Sequence, residues 1–110
     1  SQRGRWVLAA HPEAQAEYAV SGLVDSEVVR GLIDRTFIDD SVRWIIDFKT
    51  STHEGGDLKA FLDEQQRRYH DQMERYARIL APLGHPVRLG LYFPLLDEWR
   101  ERTPGQVPGG

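Results

Sequence analysis

The chain has no cysteine, one methionine and, among 14 basic residues, only two lysines, Lys49 and Lys59. The missing cysteine excludes a disulfide framework, a thiolate zinc site and a cysteine nucleophile together. It fits a reducing, cytoplasmic setting. No run of about 18 apolar residues occurs, so no membrane-spanning helix is expected. No charged segment followed by an apolar stretch opens the chain, and no signal peptide is expected. Positive charge is also short: 17 acidic side chains leave a net charge of −3. A domain that bound DNA unaided would ordinarily be basic. What remains is 110 residues, 40% hydrophobic and 28% charged, enough for one small domain with a real core.

Composition and spacing divide the chain into a few elements. Residues 5–9 are apolar but too short to assign. Glu17–Val24, Glu27–Ile38 and Arg43–Thr50 read as three strands, joined by a turn at Asp25-Ser26 and a tight loop at Asp39-Asp40-Ser41-Val42. The stretch 51–56 is a loop. Asp57 then caps a helix in which Leu58, Phe61, Leu62, Tyr69, Met73, Tyr76 and Leu80 recur every three or four residues. Pro82 and Gly84 end it. Val87–Phe93 reads as a fourth strand, and Leu95–Arg102 as a short helix or an extended arm. Residues 103–110 read as a flexible tail. The order β-β-β-α-β predicts an α/β fold. Its sheet is mixed and mostly antiparallel, of about four strands, with a long crossover helix.

The hairpin from residue 28 to residue 50 holds charges that strands of this kind ordinarily reject. Asp34 lies among Leu32, Ile33, Phe37 and Ile38, and Asp47 and Lys49 among Trp44, Ile45, Ile46 and Phe48. A loop centred between Asp40 and Ser41 pairs Ile38 with Arg43 and Asp34 with Asp47. Directly opposed residues have Cβ atoms roughly 4.5–5.5 Å apart. Lys49, two residues beyond Asp47, points to the same face. An odd-numbered loop would put the two carboxylates on opposite faces. Two carboxylates so placed repel. They can share a proton, or hold a divalent cation such as Mg²⁺ or Mn²⁺ through oxygen ligands. The cation accounts better for the lysine, which can orient a metal-bound water or stabilise developing charge. The bland alternative is an internal ion pair of Lys49 with either aspartate. In a chain that otherwise prefers arginine, a compact ammonium at this place is a further hint.

Gly31-Leu-Ile-Asp34-Arg, then Ile45-Ile-Asp47-Phe-Lys49-Thr50, then Gln72-Met-Glu-Arg-Tyr76-Ala together resemble the PD-(D/E)XK nuclease superfamily. More narrowly they resemble the RecB-type nuclease domain of bacterial helicase–exonucleases, over about residues 17–93. Asp-x-Lys alone is a weak signal; three motifs in order at this spacing are a stronger one. The resemblance implies a restriction-endonuclease-like core in which Asp34, Asp47 and the backbone carbonyl of Phe48 ligate Mg²⁺, with Mn²⁺ as a substitute. Lys49 would position or activate the attacking water. Gln72 and Tyr76 would border the site, and Glu17 matches a frequently acidic position. Phe48 stands where the family usually has Tyr. The family also carries a metal-ligating His on an upstream helix. His11 is the only upstream His, and Pro12 disfavours helix at it. That helix is therefore expected to precede Ser1, making residues 1–102 the C-terminal part of the nuclease domain.

The reading that follows is a Mg²⁺-dependent exonuclease domain acting on DNA in recombination and repair. It would work beside helicase domains of the same parent chain and companion subunits, with ATP used only in the helicase region. One competitor is a non-catalytic, nuclease-like DNA-binding or scaffold domain. Another is a related enzyme acting on RNA or branched DNA. Arg67, Arg68, Arg75 and Arg78 form a solvated face or contact phosphates. Trp44 is expected in the core, and Trp6 and Trp99 against another part of a longer protein.

Overall fold

The computed structural model describes residues 1–106. Helix α1 (Gln2–Leu8) leads into strands β1 (Gln15–Val24), β2 (Glu27–Asp39) and β3 (Val42–Phe48). Helices α2 (Leu58–Arg68) and α3 (His70–Leu80) follow, then a 3₁₀ turn at Ala81–Leu83 and strands β4 (Val87–Phe93) and β5 (Glu98–Arg102). The strands form one sheet in chain order. The β3–β4 pair is parallel and the other three pairs antiparallel. The class and the mixed sheet agree with the sequence reading, with five strands rather than four. The segment read as a helix or an arm is β5. It returns along β4 after a turn in which Leu96 N–H donates to the Phe93 carbonyl. Thr103–Gln106 are tied down by Arg88, which donates to Thr103, and by the Gly105 amide on Glu74. The rest of the expected flexible tail, 107–110, lies outside the described residues.

Two tight hairpins set every antiparallel register on the left of the sheet. Asp25-Ser26 and Asp40-Ser41 are two-residue turns, and all four residues have positive φ (51°, 67°, 50° and 62°). That is the conformation whose twist matches the flanking strands. The second turn pairs Asp39 with Val42 and Ile38 with Arg43, and the ladder runs on to Arg35 and Ile46.

Each face of the sheet buries its own cluster. On one, α2 and α3 lay Leu62, Met73, Tyr76, Ala77 and Leu80 over Val20, Ile33, Ile45, Leu89, Leu91 and Phe93. On the other, Val7 of α1 packs with Phe37, Trp44, Ile46 and Tyr92. Trp6 and Trp99 close this second cluster, edge to face at 5.6 Å. Both are partly buried against each other and Trp44 within this chain. The 58–80 helix is broken at one residue, Tyr69 (φ −102°, ψ 8°), although the Tyr69 and Met73 amides still reach back four residues.

Between Ile33 and Phe37 the strand changes face, since Ile33 packs under α3 and Phe37 under α1. Regular alternation would keep them on one side. The change falls at Glu17 and Asp34, the one opposed pair missing from the β1–β2 ladder, where Glu17 has φ 49°. Nearby, Gly31 permits the approach of α3: a Cβ there would collide with Cε1 and the hydroxyl of Tyr76. Gly31→Ala should therefore cost about 1–3 kcal/mol, as overpacking a well-filled core does. Urea denaturation of the two chains measures it.

Candidate metal centre

Asp34 and Asp47 sit one step beyond the last rung of the β2–β3 ladder. Continued from Arg35 and Ile46, the register sets them opposite each other. Asp47 alternates with Ile45, so it lies on the face that α2 and α3 cover. The backbone ladder has stopped here, and the Asp34 side chain takes over its role: the Phe48 amide donates to Asp34 Oδ2 at 2.7 Å. The first carboxylate is thereby fixed by the strand that carries the second.

Asp47 is buried, 8% exposed. Lys49 Nζ lies 2.5 Å from its Oδ2. A contact this short ties the ammonium to that oxygen. Burial, first, and hydrogen bonding with the Asp34 carboxyl, second, raise Asp47 to about 6, while Lys49 pulls the other way. The lysine therefore compensates the pair only in part. Its ammonium also lies 3.1 Å from the centre of the Tyr69 ring, at the break between α2 and α3.

The residues suit a hard divalent cation. Two carboxylates converge, one of them buried and raised above its ordinary range by burial and by the other, and such an ion takes oxygen ligands. Asp34, Asp47 and the Phe48 carbonyl are the groups available to hold it. No cluster of three or more His, Cys, Asp or Glu side chains placed to hold a metal occurs among the described residues.

The other residues singled out from the sequence divide into two groups. Gln72 and Tyr76 form a unit on α3. Gln72 Nε2 donates to the Tyr76 hydroxyl at 2.8 Å, which donates to the Leu32 carbonyl at 3.3 Å. Among the described residues no hydrogen bond links this unit to either aspartate. Glu17 stands opposite Asp34 on the edge strand, exposed and, among the described residues, without a side-chain hydrogen bond. His11 lies on the far face, stacked on Phe37 at 3.9 Å and bonded to the Trp6 carbonyl. Arg67 and Arg78 pair with Glu64 and Asp25. Tyr69 was visible in the sequence only as one member of the apolar series of the 58–80 helix; its contact with Lys49 depends on how the helix crosses the sheet.

Comparison with protein-family models finds no match, and comparison with curated proteins finds no significant one. No helix among the described residues is long and apolar enough to cross a membrane.

The raised Asp47 predicts a pH dependence in chelator-treated protein. The unfolded chain releases this proton near pH 4, whereas the native state keeps it to about pH 6. The contribution of this residue to stability is thus greatest below pH 4, falls as pH rises to 6, and then levels, against the opposite trend of Asp25, Asp63, Glu74 and Glu101, whose carboxyls are held low by arginine or lysine partners. Two pH units correspond to a fall of roughly 3 kcal/mol from this residue at most. Asp47→Asn should therefore gain on wild type as pH rises from 4 to 6 and be the more stable of the two at pH 7. Denaturation curves at pH 4, 5, 6 and 7 check both.

Proposed function

We propose that the chain is a divalent-cation-dependent deoxyribonuclease domain with a restriction-endonuclease-like core of the PD-(D/E)XK type. The observation that carries the proposal is the pair Asp34–Asp47 with Lys49 beside it on one face of the β2–β3 hairpin. A cation held there by Asp34, Asp47 and the Phe48 carbonyl would polarise the scissile phosphate and lower the pKa of a bound water. Mg²⁺ is the natural ion, with Mn²⁺ able to replace it.

The chain's own residues supply the rest. The Lys49 ammonium orients the attacking water and meets the charge that develops on phosphate oxygen. Its reach is short, because its side chain is 14% exposed and held at the carboxylates. The Tyr76 hydroxyl, bound to the Leu32 carbonyl, steadies Gln72, and the two border the site where a DNA backbone would pass. The net charge of −3 suits a domain that receives DNA from a motor rather than capturing it alone. Helicase domains of a longer parent, using ATP, with companion subunits, are the partners this reading implies. The process would be exonucleolytic degradation in DNA recombination and repair.

One observation favours a non-catalytic, nuclease-like DNA-binding or scaffold domain instead. Lys49 is pressed against Asp47 and covered by Tyr69, and no third acidic or His side chain completes a metal cluster among the described residues. Cleavage decides between the two. With linear double-stranded DNA and Mg²⁺, a longer parent chain that carries the upstream helix should release nucleotides and a chelator should stop it. Lys49→Ala should slow cleavage by at least about 100-fold while leaving Mg²⁺ affinity within a few-fold of wild type. Undiminished cleavage by Lys49→Ala would remove the water-positioning role. Mg²⁺ binding without cleavage in that longer chain would favour the scaffold reading.

A further inference from the structure

Lys49 has two neighbours at its charged end: the Asp47 carboxylate and the face of Tyr69. Only one of them survives a bound cation. A divalent ion taken by Asp47 competes for the oxygen that Lys49 touches, and its charge repels the ammonium. An ammonium on a flexible four-carbon stem, once released, is drawn to bulk water. An aromatic face keeps hold of it, because the ring attracts a cation through its quadrupole and gives nothing up to the metal.

We propose that Tyr69 is a positioning residue: its ring retains Lys49 at the paired carboxylates after a divalent cation has displaced it from Asp47. This rests on the metal-site reading above. Three features of the structure support it. Nζ lies 3.1 Å from the ring centroid, a full-face approach. The ring projects from the single residue at which the α2–α3 helix is interrupted, where φ −102° and ψ 8° depart from helix. The sequence around the break, Arg67-Arg68-Tyr69-His70-Asp71, contains neither Pro nor Gly to impose it. Arg68 also approaches the same ring, at 5.8 Å, so its cation faces the ring as well. In the metal-free state Tyr69 and Asp47 share the ammonium; in the loaded state the ring holds it alone.

The chain has only two lysines, and Lys59 is exposed and paired with Asp63. Lysine labelled with ¹³C at Cε therefore gives two signals, with Lys59 as the internal standard. Lys49 should appear upfield of Lys59, shifted by the ring current of Tyr69. The Phe48 amide, bound to Asp34, reports independently on metal binding. On titration with Mg²⁺ the Phe48 amide should shift while the Lys49 signal stays upfield. Tyr69→Phe should preserve that behaviour. In Tyr69→Leu the Lys49 signal should move to the position of Lys59, and Mg²⁺-dependent cleavage should drop roughly tenfold, in rate rather than in metal affinity. If the Phe48 amide shifts with Mg²⁺ and the wild-type Lys49 signal collapses onto that of Lys59, the ring does not retain the lysine; the inference is overturned and the metal site stands. If saturating Mg²⁺ moves neither signal, the metal-site reading fails and takes this inference with it.

Discussion

The register of one hairpin controls the chemistry of the whole molecule. Asp40 and Ser41 form a two-residue turn with positive φ at both positions, and that turn decides which residue of β2 meets which residue of β3. With it, Asp34 and Asp47 meet on the face that α2 and α3 cover. One residue more or less in the turn would separate them across the sheet, since strand side chains alternate with a period of two. The turn contains no glycine, and a β-carbon in the left-handed region costs roughly 1–2 kcal/mol per residue. The fold accepts that cost at a point where a slip would place a charge in the wrong layer.

The carboxylate pair is only partly compensated. Like charges facing each other in a poorly solvated place raise the free energy of the folded chain. Lys49 offsets some of this, yet Asp47 stays well above the usual carboxylate range. A core built for stability alone would replace such a group with an apolar one. Surrounding elements serve the pair instead: the Phe48 amide orients Asp34, Tyr69 covers Lys49, and Gly31 lets α3 descend onto the strand that carries Asp34. The second cluster, built on Trp6, Trp44 and Trp99, holds the opposite face of the sheet and packs against the side chain of Phe48.

Much of this was legible in the sequence where pattern and physics agree. Charges inside apolar strands marked the hairpin, and the Asp-Ser turn gave its register. The crossover helix followed from apolar spacing and the Asp57 cap, which accepts from the Ala60 amide. Elements that bury little left no such mark. α1 buries only Val7, and β5 alternates Arg and Glu whose ion pairs with Arg88 and Glu74 exist only once the sheet is assembled. The face change at Glu17–Asp34 has no sequence signature, because it depends on a non-glycine residue taking positive φ inside a strand. The helix break at Tyr69 also escapes periodicity, since apolar spacing continues through it.

The central claim is that Asp34 and Asp47 together form a divalent-cation site, and thermal unfolding under Mn²⁺ tests it most directly. A ligand bound only by the native state raises the melting temperature once its concentration passes the dissociation constant. A concentration-dependent rise is expected for the wild-type chain at pH 7 and none for Asp34→Asn. The same melting temperature in wild type across the titration, or an equal rise in both chains, would contradict it and leave the cluster as a buried ion pair.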